Sequence, residues 1–169
     1  MIKKEDSASP DTARSKPNPG QKQAPARGPA PLIDPTNSRS SEVVLIIDDE
    51  EIVRTACSGI LSRAGYRVMT AADGKSGIEL FDQMAAETRC IMLDLSMPYL
   101  RGNVVFARLK AIDPTVPVYV MSGYCDEQIV RDFTAAGVSG FVHKPFQPET
   151  LIEAVKKADR EVTRTVANL

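Results

Sequence analysis

Between residues 43 and 162, five short apolar runs alternate with five stretches of helical period. Antiparallel hairpins need no helix between their strands, whereas parallel strands need a long crossover connection. The alternation therefore dictates an α/β fold, a doubly wound parallel sheet with helices on both faces. Val43–Ile47 and Cys90–Leu93 are apolar at every position. Such runs suit strands covered on both sides. Arg67–Thr70 is more polar, as an edge strand is. Val118–Met121 and Ser139–His143 complete the set.

The intervening segments read as helices. The first carries Ile52, Val53, Ala56, Ile60, Leu61 and Ala64 toward its expected buried side and stops at Gly65. The second runs from about Lys75 to Glu87, with Ile78, Leu80, Phe81 and Met84 as core candidates. The third follows Gly102 and offers Val104, Val105, Ala107 and Leu109. The fourth offers Ile129, Val130, Phe133 and Ala136 and stops at Gly137. The last begins near Pro148, with Leu151, Val155, Ala158 and Val162 on one side.

Composition separates residues 1–41 from this pattern. They hold seven of the twelve prolines and few large apolar residues, so they are expected to be a disordered Pro-rich tail ahead of a folded unit at 42–169. Seven Lys/Arg against four acids give the tail a net +3, while fourteen basic against eighteen acidic residues give the remainder −4. An acidic folded part argues against nucleic-acid binding. No run approaches the ~18 apolar residues of a membrane span. Three widely spaced cysteines, Cys57, Cys90 and Cys125, fit neither a disulfide framework nor a zinc pattern, and the cytoplasm is the expected compartment.

In open parallel sheets, functional residues gather at the carboxyl ends of strands. Here those ends supply Asp48, Asp49 and Glu50 from the first strand, Asp94 from the third, Ser122 from the fourth and Lys144 from the fifth. Clustered carboxylates repel and raise one another's pKa, and a divalent cation relieves this. An oxygen-only donor set suits Mg²⁺. Asp94 is either a metal ligand or a nucleophile toward phosphorus. Ser122 and Lys144 suit the oxygens of a phosphoryl group. Singly, the residues have plainer readings: acids favour a helix N-terminus, Ser122 a strand-end turn, Lys144 the surface, and Phe141 the core. Pro145 restricts the backbone of Lys144 to an extended form. His143, the single histidine, is expected to point away from Lys144's side of the strand.

Taken together, Asp48-Asp49 after a five-residue apolar strand, Asp94 in Asp-Leu-Ser-Met-Pro with Gly102 beyond, Ser122-Gly123, and Phe141 three before Lys144-Pro145 resemble the receiver domain of two-component response regulators. The resemblance spans about residues 42–165. It implies a flavodoxin-like (βα)5 sheet in the order 2-1-3-4-5. It also implies that Asp94 accepts a phosphoryl group from a histidine kinase or a histidine phosphotransfer protein. Mg²⁺ is then bound directly by Asp49, Asp94 and the Ser96 backbone carbonyl, with Asp48 acting through water. Ser122 and Lys144 contact the phosphoryl oxygens, and Phe141 is the aromatic switch residue. Ser122 and Phe141 stand where Thr and Tyr are commoner. Ser96, Gly123 and Tyr124 occupy the positions that tune access to the acyl phosphate.

Such a protein is not an enzyme beyond its own phosphorylation and dephosphorylation. Its expected output is a downstream protein contact through the fourth helix, fifth strand and last helix. With no further domain after the last helix, the sequence is expected to act as a stand-alone, chemotaxis-receiver-like regulator. Its motifs also resemble receivers fused to hybrid histidine kinases. The alternative is a receiver-fold binding module that works without phosphorylation. A phosphatase would need a second acid near Asp94, where Ser96 stands. The acids Asp48-Asp49-Glu50 would repel a flavin phosphate.

Overall fold

The computed structural model describes residues 42–124 and 126–167, with side chains as far as Ala158. The expected disorder of residues 1–41 and the expected burial of Val162 lie outside the described residues. The elements run β1 (Val43–Ile47), α1 (Glu51–Arg63), β2 (Arg67–Ala71), α2 (Gly74–Met84), a 3-10 turn (Ala85–Glu87), β3 (Thr88–Asp94), α3 (Gly102–Ile112), β4 (Val118–Ser122), α4 (Glu127–Ala135), β5 (Gly140–His143) and α5 (Pro148–Ala167). The strands form one parallel sheet in the order β2-β1-β3-β4-β5. This is the flavodoxin-like arrangement expected from the sequence.

The apolar strands earn their composition by serving two cores. In β1, Val44 and Ile46 join Cys57 and Leu61 of α1 and Leu151 and Val155 of α5 on one face. Leu45 and Ile47 face the other way, toward Phe81 of α2, Val105 and Leu109 of α3, and Phe133 of α4. Alternating side chains of a pleated strand therefore meet different helices, and a polar residue on either side would lose solvation. On the second face, Phe106 and Phe133 meet edge to face at 5.3 Å between ring centroids, joining α3 to α4.

The helix faces differ from the sequence expectation in detail. In α1 the buried residues are Cys57 and Leu61, with Val53 and Ile60 half-buried, whereas Ile52 is 79% exposed and Ala56 and Ala64 are exposed. The stripe 53, 57, 60, 61 follows the helical period against the sheet, and 52 and 56 lie one residue off it. In α3, Phe106 is buried and Val104 is not. In α4, Val130 is 37% exposed and Ala136 is exposed. Gly65 and Gly137 do end α1 and α4, at φ +89 and +84, in the left-handed region that favours glycine.

β1 is the point where the topology reverses. The chain leaves it toward β2 on one side and returns to β3 on the other, which opens a crevice at the carboxyl ends of β1 and β3. The register shifts at Val43/Val44 and then pairs Ile47 with Leu93. The next residue on each strand is an aspartate, so Asp48 and Asp94 emerge side by side.

Candidate functional site

Among the described residues, the buried polar side chains are Asp48, Asp94 and Ser122, at 0%, 1% and 2% exposure. All three stand at the carboxyl ends of adjacent central strands. Each has a partner that answers its burial. Lys144 Nζ donates to Asp48 Oδ2 at 2.7 Å and to Asp94 Oδ1 at 3.1 Å, and lies 3.6 Å from Glu50 Oε1. The Ser96 amide donates to Asp94 Oδ2 at 3.1 Å, and the Glu50 amide to Asp48 Oδ1 at 2.9 Å. Lys144 is aimed by its backbone: its amide donates to Ser122 O at 2.8 Å, one step beyond the end of β5. The Lys144–Pro145 peptide is cis.

Charge and burial oppose each other at this centre. Burial pushes the Asp94 carboxyl above the usual range and Asp48 adds repulsion, while Lys144 and the Ser96 amide pull it back only in part. For Lys144 burial is the largest single influence and acts downward, but its bonds to Asp48 and Asp94 together outweigh it and hold the ammonium above its ordinary value. Beneath the pair, Cys57 is pushed up to about 11, first by burial and then by the Asp48 charge, so it is an inert thiol of the core.

Asp49, unlike Asp48 and Asp94, is exposed. One carboxylate oxygen each from Asp48, Asp49 and Asp94 lies within 4.8 Å of the others. The donors are all oxygen, two are buried and one faces solvent. That combination fits a hard divalent cation that keeps part of its water shell, and Mg²⁺ in particular.

The other expected residues surround this centre. Ser96 and Gly123 line a cleft of about 550 Å³ that reaches Asp94 and Lys144. A side chain at Gly123 would meet nothing within 4 Å, so the approach to Asp94 is open there. Ser122 is turned to its own loop: its hydroxyl donates to Tyr124 O at 2.6 Å and accepts from the Tyr124 amide at 3.1 Å. The Tyr124 side chain is 74% exposed. Phe141 is half-buried against the core that includes Phe133 and Val120. His143 is exposed and takes no part in the centre.

Sequence reasoning missed two features. The far wall of the cleft is apolar, built by Ile52, Val53 and Ala56 of α1 with Pro145 and Phe146. Arg54 reaches back from α1 to the acid turn, donating from Nη1 to the carbonyls of both Asp48 and Asp49 at 2.8 Å. For the wall, the available signal was the surplus of apolar residues on α1 over the stripe one sheet face can cover. Nothing in the order of residues marked Arg54.

Over residues 44–156 the chain matches the family described as the response regulator receiver domain. It belongs to that family. This receiver domain is 30% identical over 118 residues to the chemotaxis protein CheY of Thermotoga maritima, a match covering 69% of this chain and 97% of the relative. It is also 30% identical to the sensor kinase CckA of Brucella abortus over 122 residues, which is 72% of this chain but 13% of the kinase. Among solved structures, the CheX–CheY–BeF3–Mg complex of Borrelia burgdorferi is similar at 25% identity and a TM-score of 0.66, covering 69% of this chain and 87% of that one. Among the described residues of the receiver, no helix is long and apolar enough to cross a membrane.

Proposed function

We propose that this receiver domain is a phosphoacceptor in two-component signalling, with Asp94 as the residue modified. The observation that carries the reading is a buried carboxylate, held by a lysine ammonium at 3.1 Å, at the end of an open cleft. Nucleophilic attack by an Asp94 oxygen on a phosphohistidine forms the O–P bond as the P–N bond breaks, and the imidazole leaves with the electron pair. His143, the single histidine in these 169 residues, is exposed, so the donor histidine lies outside them. Burial raises the energy of the Asp94 anion and makes it a more willing nucleophile. Lys144 is already placed to neutralise charge on the incoming group. Asp48, Asp49, Asp94 and the Ser96 carbonyl would hold Mg²⁺, whose bound charge would offset that of the phosphoryl oxygens. The complex described for the Borrelia relative, with BeF3 and magnesium, supports this reading.

The donor is a histidine kinase or a histidine phosphotransfer protein. The apolar wall of Ile52, Val53, Ala56 and Phe146 gives such a domain an apolar surface beside Asp94. After transfer the Ser122 hydroxyl leaves Tyr124 for a phosphoryl oxygen, and Phe141 repacks behind it. The readout is a shift of the α4–β5–α5 face toward a form that binds a downstream protein. The protein turns over nothing but its own phosphoryl group, and the cytoplasm is the compartment this role implies.

Acetyl phosphate with Mg²⁺ tests the reading by intact mass. Wild type gains one phosphoryl group and Asp94→Asn gains none. An unmodified wild type that also gives no response to beryllofluoride would sink the phosphoacceptor role and leave a phosphorylation-independent binding module.

A further inference from the structure

The three clustered acids are not equally supported. Asp48 is held by Lys144 and the Glu50 amide, and Asp94 by Lys144 and the Ser96 amide. Among the described residues, no donor holds the Asp49 carboxylate, which is exposed. Its position comes from its backbone alone.

That backbone is gripped in an unusual way. The Asp48 carbonyl lies in the peptide plane before the Asp49 Cα, and the Asp49 carbonyl in the plane after it. One nitrogen, Arg54 Nη1, takes both carbonyls at 2.8 Å. Two planes tied to one donor leave the torsions between them little freedom, and those torsions aim the Asp49 Cα–Cβ bond. The turn is fixed at its ends as well: the Asp48 amide donates to Ala71 O at 3.2 Å, and the Arg54 amide to Glu50 O at 3.1 Å. Arg54 itself is half-buried in α1, so its guanidinium has a rigid base. Backbone carbonyls bonded to a cation form strong, short bonds.

We infer that Arg54 is a positioning residue that holds Asp49 in place as a divalent-cation ligand by clamping the two peptide groups that flank it. The inference rests on the reading of the Asp48–Asp49–Asp94 cluster as the Mg²⁺ site. Outer partners of metal ligands commonly change affinity by about 10- to 100-fold when removed. The sign of the effect separates positioning from simple electrostatics. A guanidinium that merely added positive charge near the acids would oppose cation binding, and its loss would tighten Mg²⁺. A clamp works the other way, and its loss weakens Mg²⁺.

The test is Mg²⁺ titration by calorimetry of wild type, Arg54→Met, Arg54→Lys, Asp49→Ala and the Arg54→Met/Asp49→Ala double variant, with circular dichroism to follow the fold. Arg54→Met is expected to weaken Mg²⁺ about tenfold. Arg54→Lys, which keeps the charge on a shorter side chain without the planar Nη1 donor, is expected to fall between it and wild type, and it supplies the measurement should Arg54→Met not fold. In the Asp49→Ala background, Arg54→Met is expected to add no further loss, because the ligand it positions is gone. An affinity within twofold of wild type, a tightened one, or a full additive loss in the double variant would overturn the clamp. No Mg²⁺ binding by wild type would overturn the metal reading beneath it as well.

Discussion

Asp94 and Ser122 hold polar groups where solvent does not reach them, and each is satisfied by one or two named partners. For Asp94 those partners do not fully offset burial, and its carboxyl lies above the usual range. The folded state therefore binds that proton more tightly than the unfolded chain does, and stability falls as pH rises through the interval between the two values. Asp94→Asn removes the charge and keeps an acceptor for Lys144 or the Ser96 amide. In the absence of divalent cations it is expected to raise the urea midpoint at pH 7, with the gain shrinking toward acid pH as the wild-type carboxyl takes up its proton. Equal midpoints at both pH values would contradict this. The Lys144 ammonium shifts stability in the same direction with pH, by losing a favourable contribution where Asp94 acquires an unfavourable one. Its contribution is complete below its ordinary value and is lost as pH climbs through the raised one. At this scale the sequence was most informative about acids and least about Arg54. An aspartate at a strand end announces itself by contrast with the apolar run before it, whereas an arginine on a helix looks like any solvated charge until its reach is known.

Elements place these residues only because two of them approach closely. A Cβ on Gly102, at the start of α3, would lie 2.8 Å from the Leu95 Cα and 3.2 Å from the Asp94 carbonyl oxygen. The Leu95 side chain, with Cδ2 at 2.7 Å, could swing aside, but the backbone leaving β3 and the first turn of α3 are themselves in contact and cannot yield so easily. Gly102→Ala is expected to cost about 1–3 kcal/mol in urea unfolding and to slow phosphorylation by displacing Asp94. Gly59 makes the contrast. It lies within α1 with nothing within 4 Å of a Cβ, so Gly59→Ala is expected to stabilise by about 0.5–1 kcal/mol. If both substitutions had the same sign, close approach would not be what distinguishes the two sites. The elements themselves were legible because their apolar periods differ: continuous for β1 and β3, helical between them. The expected stripe of α1 was right at Val53, Ile60 and Leu61 and wrong at Ile52, Ala56 and Ala64, since Ile52 and Ala56 repeat at a spacing as regular as that of Val53 and Cys57. Periodicity gives the existence of a face and leaves open which of two adjacent faces meets the sheet, and here the second serves the cleft.

Across the whole molecule, cation binding and folding share the same acids. In the unfolded chain Asp48 and Asp94 are far apart, so a cation that bridges them binds the folded state selectively. Saturation at 100 times the dissociation constant is expected to add about 2.7 kcal/mol of stability, seen as a rise in the thermal midpoint that chelator reverses and that Asp49→Ala diminishes. An unchanged midpoint would mean that the cluster does not bind the ion. The strand order was anticipated at this level through the family resemblance, the residue pattern alone narrowing it to a few topologies. Right-handed crossovers and a reversal of strand order confine the crevice to one edge of the sheet. The state of the Ser122 hydroxyl was not readable, because it depends on a loop bond within two residues. That bond has a further consequence. The hydroxyl is committed to the Tyr124 carbonyl at 2.6 Å, so it cannot serve a phosphoryl oxygen until the loop lets go. Coupling of this kind has no preferred direction. Under the proposed function, a target protein that grips the loop with Tyr124 drawn aside would free the hydroxyl before any phosphate arrives, and so would promote the very transfer that recruits it. Addition of such a target is then expected to speed labelling of Asp94 by acetyl phosphate, and an unaltered rate would show that the loop and the acceptor are uncoupled.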